Sequence, residues 1–162
     1  MRGFATFAVM VAITPVLAIS QGTSSWKTCS SDEFGIRFLY PSEWQNLDQP
    51  LRLAFGGSDG SVQIDASQGT SVKLICRGAA THKLKGYGAH PHIQFLKVLD
   101  RPACIVWPSR DQGAPHWAEL IVEYPHPVTI DKDQYGYLPL NADTDHFRAI
   151  ISTLKFLPAP EM

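Results

Sequence analysis

The sequence predicts an α+β domain, an antiparallel sheet flanked by helices, on three observations. Phe34, Ile36, Phe38 and Tyr40 alternate with Gly35, Arg37 and Leu39, the two-residue period of a strand with one face inward. Ala118, Leu120, Val122 and Tyr124 repeat that period opposite Glu119 and Glu123, as in a strand wet on one side. Val72, Ile75, Cys76 and Ala79, and later Phe147, Ile150, Ile151 and Leu154, fall at the three-and-four spacing of an amphipathic helix.

From the N-terminus, Met1-Arg2-Gly3, the apolar run Phe4 to Ile13 and the small residues Ala18-Ile19-Ser20 read as a secretory signal peptide over residues 1–20. Cleavage after Ser20 leaves Gln21 first. The apolar run is shorter than the ~20 residues a spanning helix needs, and Pro15 lies near its end. The mature chain is therefore expected outside the cell, with no membrane span. Neither Asn46 nor Asn141 lies in an Asn-X-Ser/Thr acceptor, so N-glycosylation is not expected.

Residues 21–33 read as an N-terminal leader, 34–157 as a single α+β domain and 158–162 as a tail. In the domain, Phe34 to Tyr40 is the first strand. Pro41 fixes φ and removes a donor, so Pro41-Ser42-Glu43-Trp44 reads as a turn that folds Trp44 back over the sheet. Leu51 to Phe55 and Ser61 to Ala66 flank the turn-forming Gly56-Gly57-Ser58-Asp59-Gly60. A helix follows, capped by Thr70 or Ser71 and ended by Gly86. Ile93 to Leu99 and Ala103 to Trp107 form a hairpin across Asp100-Arg101-Pro102, and Trp117 to Tyr124 comes next. Gly136 and Pro139 weaken Gln134 to Leu140 and suggest an edge strand. Asp143 or Thr144 caps the last helix, and Pro158 and Pro160 follow its end.

Charge and cysteine content narrow the function classes. Loss of Arg2 with the signal leaves 13 basic against 15 acidic residues. That balance argues against nucleic acid as a partner; Lys83 and Lys85, with Arg77 nearby, read as a solvated helix face. Three cysteines in an exported chain allow at most one internal bridge. Cys29 with Cys76 is the first choice, because Cys104 sits inside the apolar run Ala103 to Trp107, and three unpaired thiols are the alternative. There is no Cys-X-X-Cys pair and no cofactor-binding motif.

Several segments together resemble the pattern of PsbP-like domains: "FGIRFLYPSEW", the mid-chain helix, "RPACIVWPS" and "DTDHFRAIISTLKF". The chain is also similar to small secreted or lipid-anchored bacterial proteins of unassigned activity. That likeness is carried by His82 to Gly88, Pro108 to Gln112, Tyr124 to Ile130 and Ala142 to His146. It spans nearly the whole mature chain and implies an α/β/α sandwich, an antiparallel sheet with helices on both faces. It supplies no catalytic residue, and photosynthetic association is not implied, because the N-terminus resembles a secretory signal and not a transit peptide.

Three constellations bear on chemistry. Asp145 beside His146 offers a carboxylate that could orient an imidazole, with Ser109 as a nucleophile, although capping and the helix dipole explain the acids equally well and no Gly-X-Ser-X-Gly elbow surrounds Ser109. Among six histidines, His90 and His92 with Asp111 could hold zinc or copper, but no recurring ligand spacing appears. Tyr87, Trp117 and Tyr135 are aromatics placed to bind a ligand, Trp117 because it shares the face of Glu119 and Glu123. The expectation is a secreted, non-catalytic binding or accessory protein recognising an extracellular protein or small ligand. The alternatives are a hydrolase using Ser109, Asp145 and His146, or a histidine-based metal-binding protein.

Overall fold

The computed structural model describes residues 25–47, 49, 52–84 and 86–158. The expected signal peptide and its cleavage site lie outside them, as do residues 159–162 of the tail. Strand β2 (Ile36–Pro41) forms where the apolar alternation predicts it, with Ile36 and Phe38 fully buried. It pairs antiparallel with β1 (Trp26–Ser31) and with β10 (Lys155–Phe156), giving a three-stranded sheet. β1 corrects the reading of residues 21–33 as a leader. Within it Cys29 alone is buried, so no alternation marks it; it is held by its ladder to β2.

A second, seven-stranded antiparallel sheet has the order β3-β4-β5-β9-β8-β7-β6. Its members are β3 (Gln45–Asn46), β4 (Leu53–Gly56), β5 (Ser61–Ile64), β6 (His92–Val98), β7 (Arg101–Trp107), β8 (Trp117–Ile130) and β9 (Asp133–Asp143). The β6–β7 hairpin turns on Leu99 and Asp100, both at positive φ, one step before the expected connection. β8 runs beyond Tyr124: pairing with β9 lapses between Glu123 and Val128, around Pro125 and Pro127, and resumes to Ile130.

β9 lies between β5 and β8, which corrects the expected edge position. Pro139 is tolerated there for a geometric reason. Its carbonyl accepts from Asp65 N at 3.0 Å, so its missing N–H points the same way, past the end of β5 at Ile64. A central strand can therefore hold a proline where the neighbouring ladder is interrupted, and pairing resumes at Ser67 with Tyr137.

Helix α1 (Val72–Ala80) is capped by Ser71. It ends at Thr81, whose hydroxyl donates to Arg77 O at 2.7 Å, and not at Gly86, so Lys83 belongs to the following turn and not to a helix face. Helix α2 (Thr144–Thr153) is capped by Asp143 and buries Phe147 and Ile150. α2 packs into the main core with Ile36, Phe38, Leu120, Leu138 and Leu140. Val72 and Cys76 of α1 pack into a second cluster with Cys104, Val106, Ile121 and Tyr137. Cys76 is disulfide-bonded to Cys104 and Cys29 is a buried free thiol, which corrects the expected Cys29–Cys76 pairing. Cys29 lies in the main core with β2, whereas α1 lies over β7. Trp44 is buried as expected, and its indole donates to Asp59 Oδ1 at 2.7 Å.

Candidate functional site

The sheet register sets three polar side chains in a row. Gln63 of β5 lies opposite Asn141 of β9, and Asn141 opposite Glu119 of β8. Glu119 is only 8% exposed. Over this row comes the segment after α1, which carries Tyr87. The Tyr87 hydroxyl lies 2.6 Å from Asn141 Oδ1 and 2.9 Å from Glu119 Oε2, and the Asn141 amide also hydrogen-bonds Glu119. One phenolic proton cannot serve two acceptors fully, so the ring of three is best satisfied when Glu119 carries a proton of its own.

Burial favours that state. Desolvation raises the Glu119 carboxyl from 4.5 to about 7; the negative charge of Asp65 adds to the rise, and the Tyr87 and Asn141 hydrogen bonds oppose it. The Tyr87 phenol is pushed up as well, first by burial and then by Glu119. Around this group lies a cavity of about 520 Å³, with Ala79, Leu84, Tyr87 and Trp117 as its apolar lining and Gln63, Glu119 and Asn141 as its polar floor. That volume is in the range of small-molecule sites.

The aromatic walls are positioned by the turn after β7. Ser109 N donates to Tyr87 O at 2.9 Å, and Gln112 donates from its side-chain amide to Gly86 O and accepts from Trp117 N at 2.8 Å. Asp111 accepts from Ala89 N at 2.9 Å and from the Ser109 hydroxyl; the Ser109 bond, then the Ala89 bond, hold its carboxyl below the ordinary range. Gly88 makes this crossing possible. It sits at φ +84°, and a Cβ there would run into Ser109 Oγ and lie 2.8 Å from Asp111 Oδ1.

The other expected site residues separate. The Ser109 hydroxyl is committed to Asp111 and accepts from His90 N at 3.1 Å. Nδ1 of His146 lies 2.8 Å from Asp143 Oδ1, and Nε2 lies 3.5 Å from Asp59 Oδ2. Both ring nitrogens therefore face carboxylates, and neither carboxylate is that of Asp145, which lies in the first turn of α2. His90, in the segment of Gly88, lies close enough to Asp111, in the turn after β7, to act on its carboxyl, and His92 is exposed on β6. Among the described residues, no group of three or more His, Cys, Asp or Glu side chains is placed to hold a metal ion. Tyr87 and Trp117 line one cavity and Tyr135 another, with Arg52 and Asp65.

Sequence reasoning missed Glu119, Asn141 and Gln63. In the strand pattern Glu119 is one more wet-face acid, and only the register of β5, β9 and β8 with the crossing of Tyr87 turns it into a buried group.

Two antiparallel sheets and two helices in this order define a PsbP-like α+β fold. The chain is similar to the solution structure of cyanobacterial PsbP (CyanoP) from Synechocystis sp. PCC 6803, with a TM-score of 0.55 at 13% identity over 85% of this chain and 95% of that one. At that identity the likeness is one of fold. No family model and no curated protein matches the chain.

Proposed function

We propose that this is a secreted, non-catalytic binding protein that takes a small ligand in the cavity between Tyr87 and Trp117. The observation that carries the reading is the buried Glu119 carboxyl at the floor of that cavity, beside Asn141 and hydrogen-bonded to the Tyr87 hydroxyl, with Trp117 in the same lining. Polar groups convergent at the base of an apolar pocket, one of them with a perturbed pKa, are a recurrent mark of a binding site. The scaffold beneath it is an α/β/α sandwich: α1 packs on Val106 and Ile121, and α2 on Leu120 and Leu138, residues of alternating direction in the sheet. Secretion is supported by the pattern of residues 1–20.

Two measurements test the proposal. N-terminal sequencing of protein recovered from culture medium should begin at Gln21; recovery only inside the cell, with Met1 retained, overturns secretion. Amide chemical-shift mapping with a small-molecule fragment library should cluster its perturbations on Tyr87, Trp117, Glu119 and Asn141, and Trp117→Ala should abolish them while the spectrum stays folded. Perturbations confined to other surfaces overturn the assignment of the cavity.

A further inference from the structure

We infer that the ligand of this cavity is an organic amine, held as an ammonium ion against Glu119 with its apolar body on Trp117 and Leu84; the inference rests on the cavity being a binding site. The described charges facing the floor favour a cation. Glu119 projects from β8, and Asp65, just beyond β5, lies close enough to raise its pKa and is itself paired with Arg52 at 2.9 Å. From the segment after α1 come Tyr87 and His82. His82 Nδ1 accepts from Leu84 N at 3.3 Å. Among the described residues lining the cavity, Glu119 has hydrogen-bond partners but no Lys or Arg beside it.

Burying an unpaired carboxylate is costly, and that cost shifts Glu119 toward its protonated form. An ammonium ligand removes the need. It exchanges for the proton, forms a charge-assisted hydrogen bond to the carboxylate, and lies beside Trp117 and Tyr87, aromatic side chains that attract cations. The exchange balances: the ligand arrives with its charge, Glu119 loses one proton to solvent, and the net charge of the site is unchanged. A carboxylate or phosphate ligand would meet the Glu119 carboxyl, with no Lys or Arg among the described residues that line the cavity.

The test compares three probes of one shape on the full chain by titration calorimetry and chemical-shift mapping: phenethylamine, 2-phenylethanol and phenylacetate. The amine should bind at least about tenfold more tightly than the alcohol, as a charge-assisted bond in place of a neutral one implies. Phenylacetate should bind most weakly. Amine affinity should weaken as pH falls from about 8 to about 5, because the proton competes for Glu119. Below neutral pH, heats in buffers of different ionisation enthalpy should report proton release. In Glu119→Gln the amine and the alcohol should bind alike, and retained alcohol binding shows that the variant is folded. Equal affinity for amine and alcohol in the parent, with both mapping to the cavity, overturns the amine inference and leaves the cavity standing. Failure of all three probes to perturb Tyr87, Trp117 and Asn141 overturns both.

Discussion

The Tyr87 hydroxyl meets the Glu119 carboxylate at 2.9 Å across 32 residues of sequence, with Asn141 as the third member of the ring. This contact closes the segment after α1 over the sheet, and it makes Glu119 a group whose ionisation the fold controls.

Glu119 is expected to make stability fall as pH rises. Its folded-state pKa, about 7, lies above the ordinary 4.5, so the native state holds a proton that the unfolded chain has already lost. The stabilisation is complete below pH 4.5 and is lost as pH rises through about 7. The shift corresponds to about 3–4 kcal/mol at most, taking about 1.4 kcal/mol per unit. Glu119→Gln should flatten this dependence and exceed the parent in stability above neutral pH. Urea denaturation at a series of pH values checks it; an unchanged slope in the variant refutes the assignment.

Gly88→Ala should loosen the crossing that positions Tyr87. A side chain at φ +84° that also strikes Ser109 and Asp111 is expected to cost about 1–3 kcal/mol. Hydrogen exchange should show the effect concentrated at residues 86–90 and 109–112. Gly78→Ala, in α1 with open space at its Cβ, should be neutral or stabilising.

Loss of the Cys76–Cys104 bridge should free α1 from β7. The bridge closes a chain segment with a separation of 28 residues, so Cys76→Ala with Cys104→Ala is expected to lose roughly 2–4 kcal/mol. Cys29 should resist alkylation until the protein unfolds, since it is buried and burial pushes its thiol up to about 11. Mass spectrometry after iodoacetamide treatment separates the two cases: rapid labelling of Cys29 in the native state contradicts its placement.

Asp143 ties three elements together. Its carboxylate caps α2 by accepting from His146 N at 3.1 Å, accepts from Ser61 N at 3.1 Å and lies against the His146 ring. Gly60 leaves room for it, since a Cβ there would run into the carboxylate. Asp143→Ala should cost about 1–3 kcal/mol through the lost cap and the amides left without partners. Thermal melting measures it, and a change below about 0.5 kcal/mol, the usual size for a surface substitution, refutes the role.

The strands and helices with strong periodicity were legible because burial acts on them one face at a time. The Phe34 to Tyr40 alternation and the Phe147 to Leu154 stripe both enter the core. The resemblance read from those segments is met by the PsbP-like fold. β1 was not legible: it buries Cys29 alone and exists through pairing with β2. The central place of β9 was hidden because the cost of Pro139 depends on what lies beside it, and the ladder is interrupted there between Ile64 and the Ser67–Tyr137 bridge.

The sequence by itself determined which residues face inward and the class of fold they build, since hydrophobic periodicity is a local property. It also held Tyr87 and Trp117 as candidates without a reason to join them. Only the tertiary structure decided that Cys76 meets Cys104, that Ser109 and His146 have separate partners, and that Glu119 lies buried between Tyr87 and Asn141. These are relations between residues tens of positions apart, set by strand register and by one loop crossing at a glycine, and no local pattern in the chain encodes them.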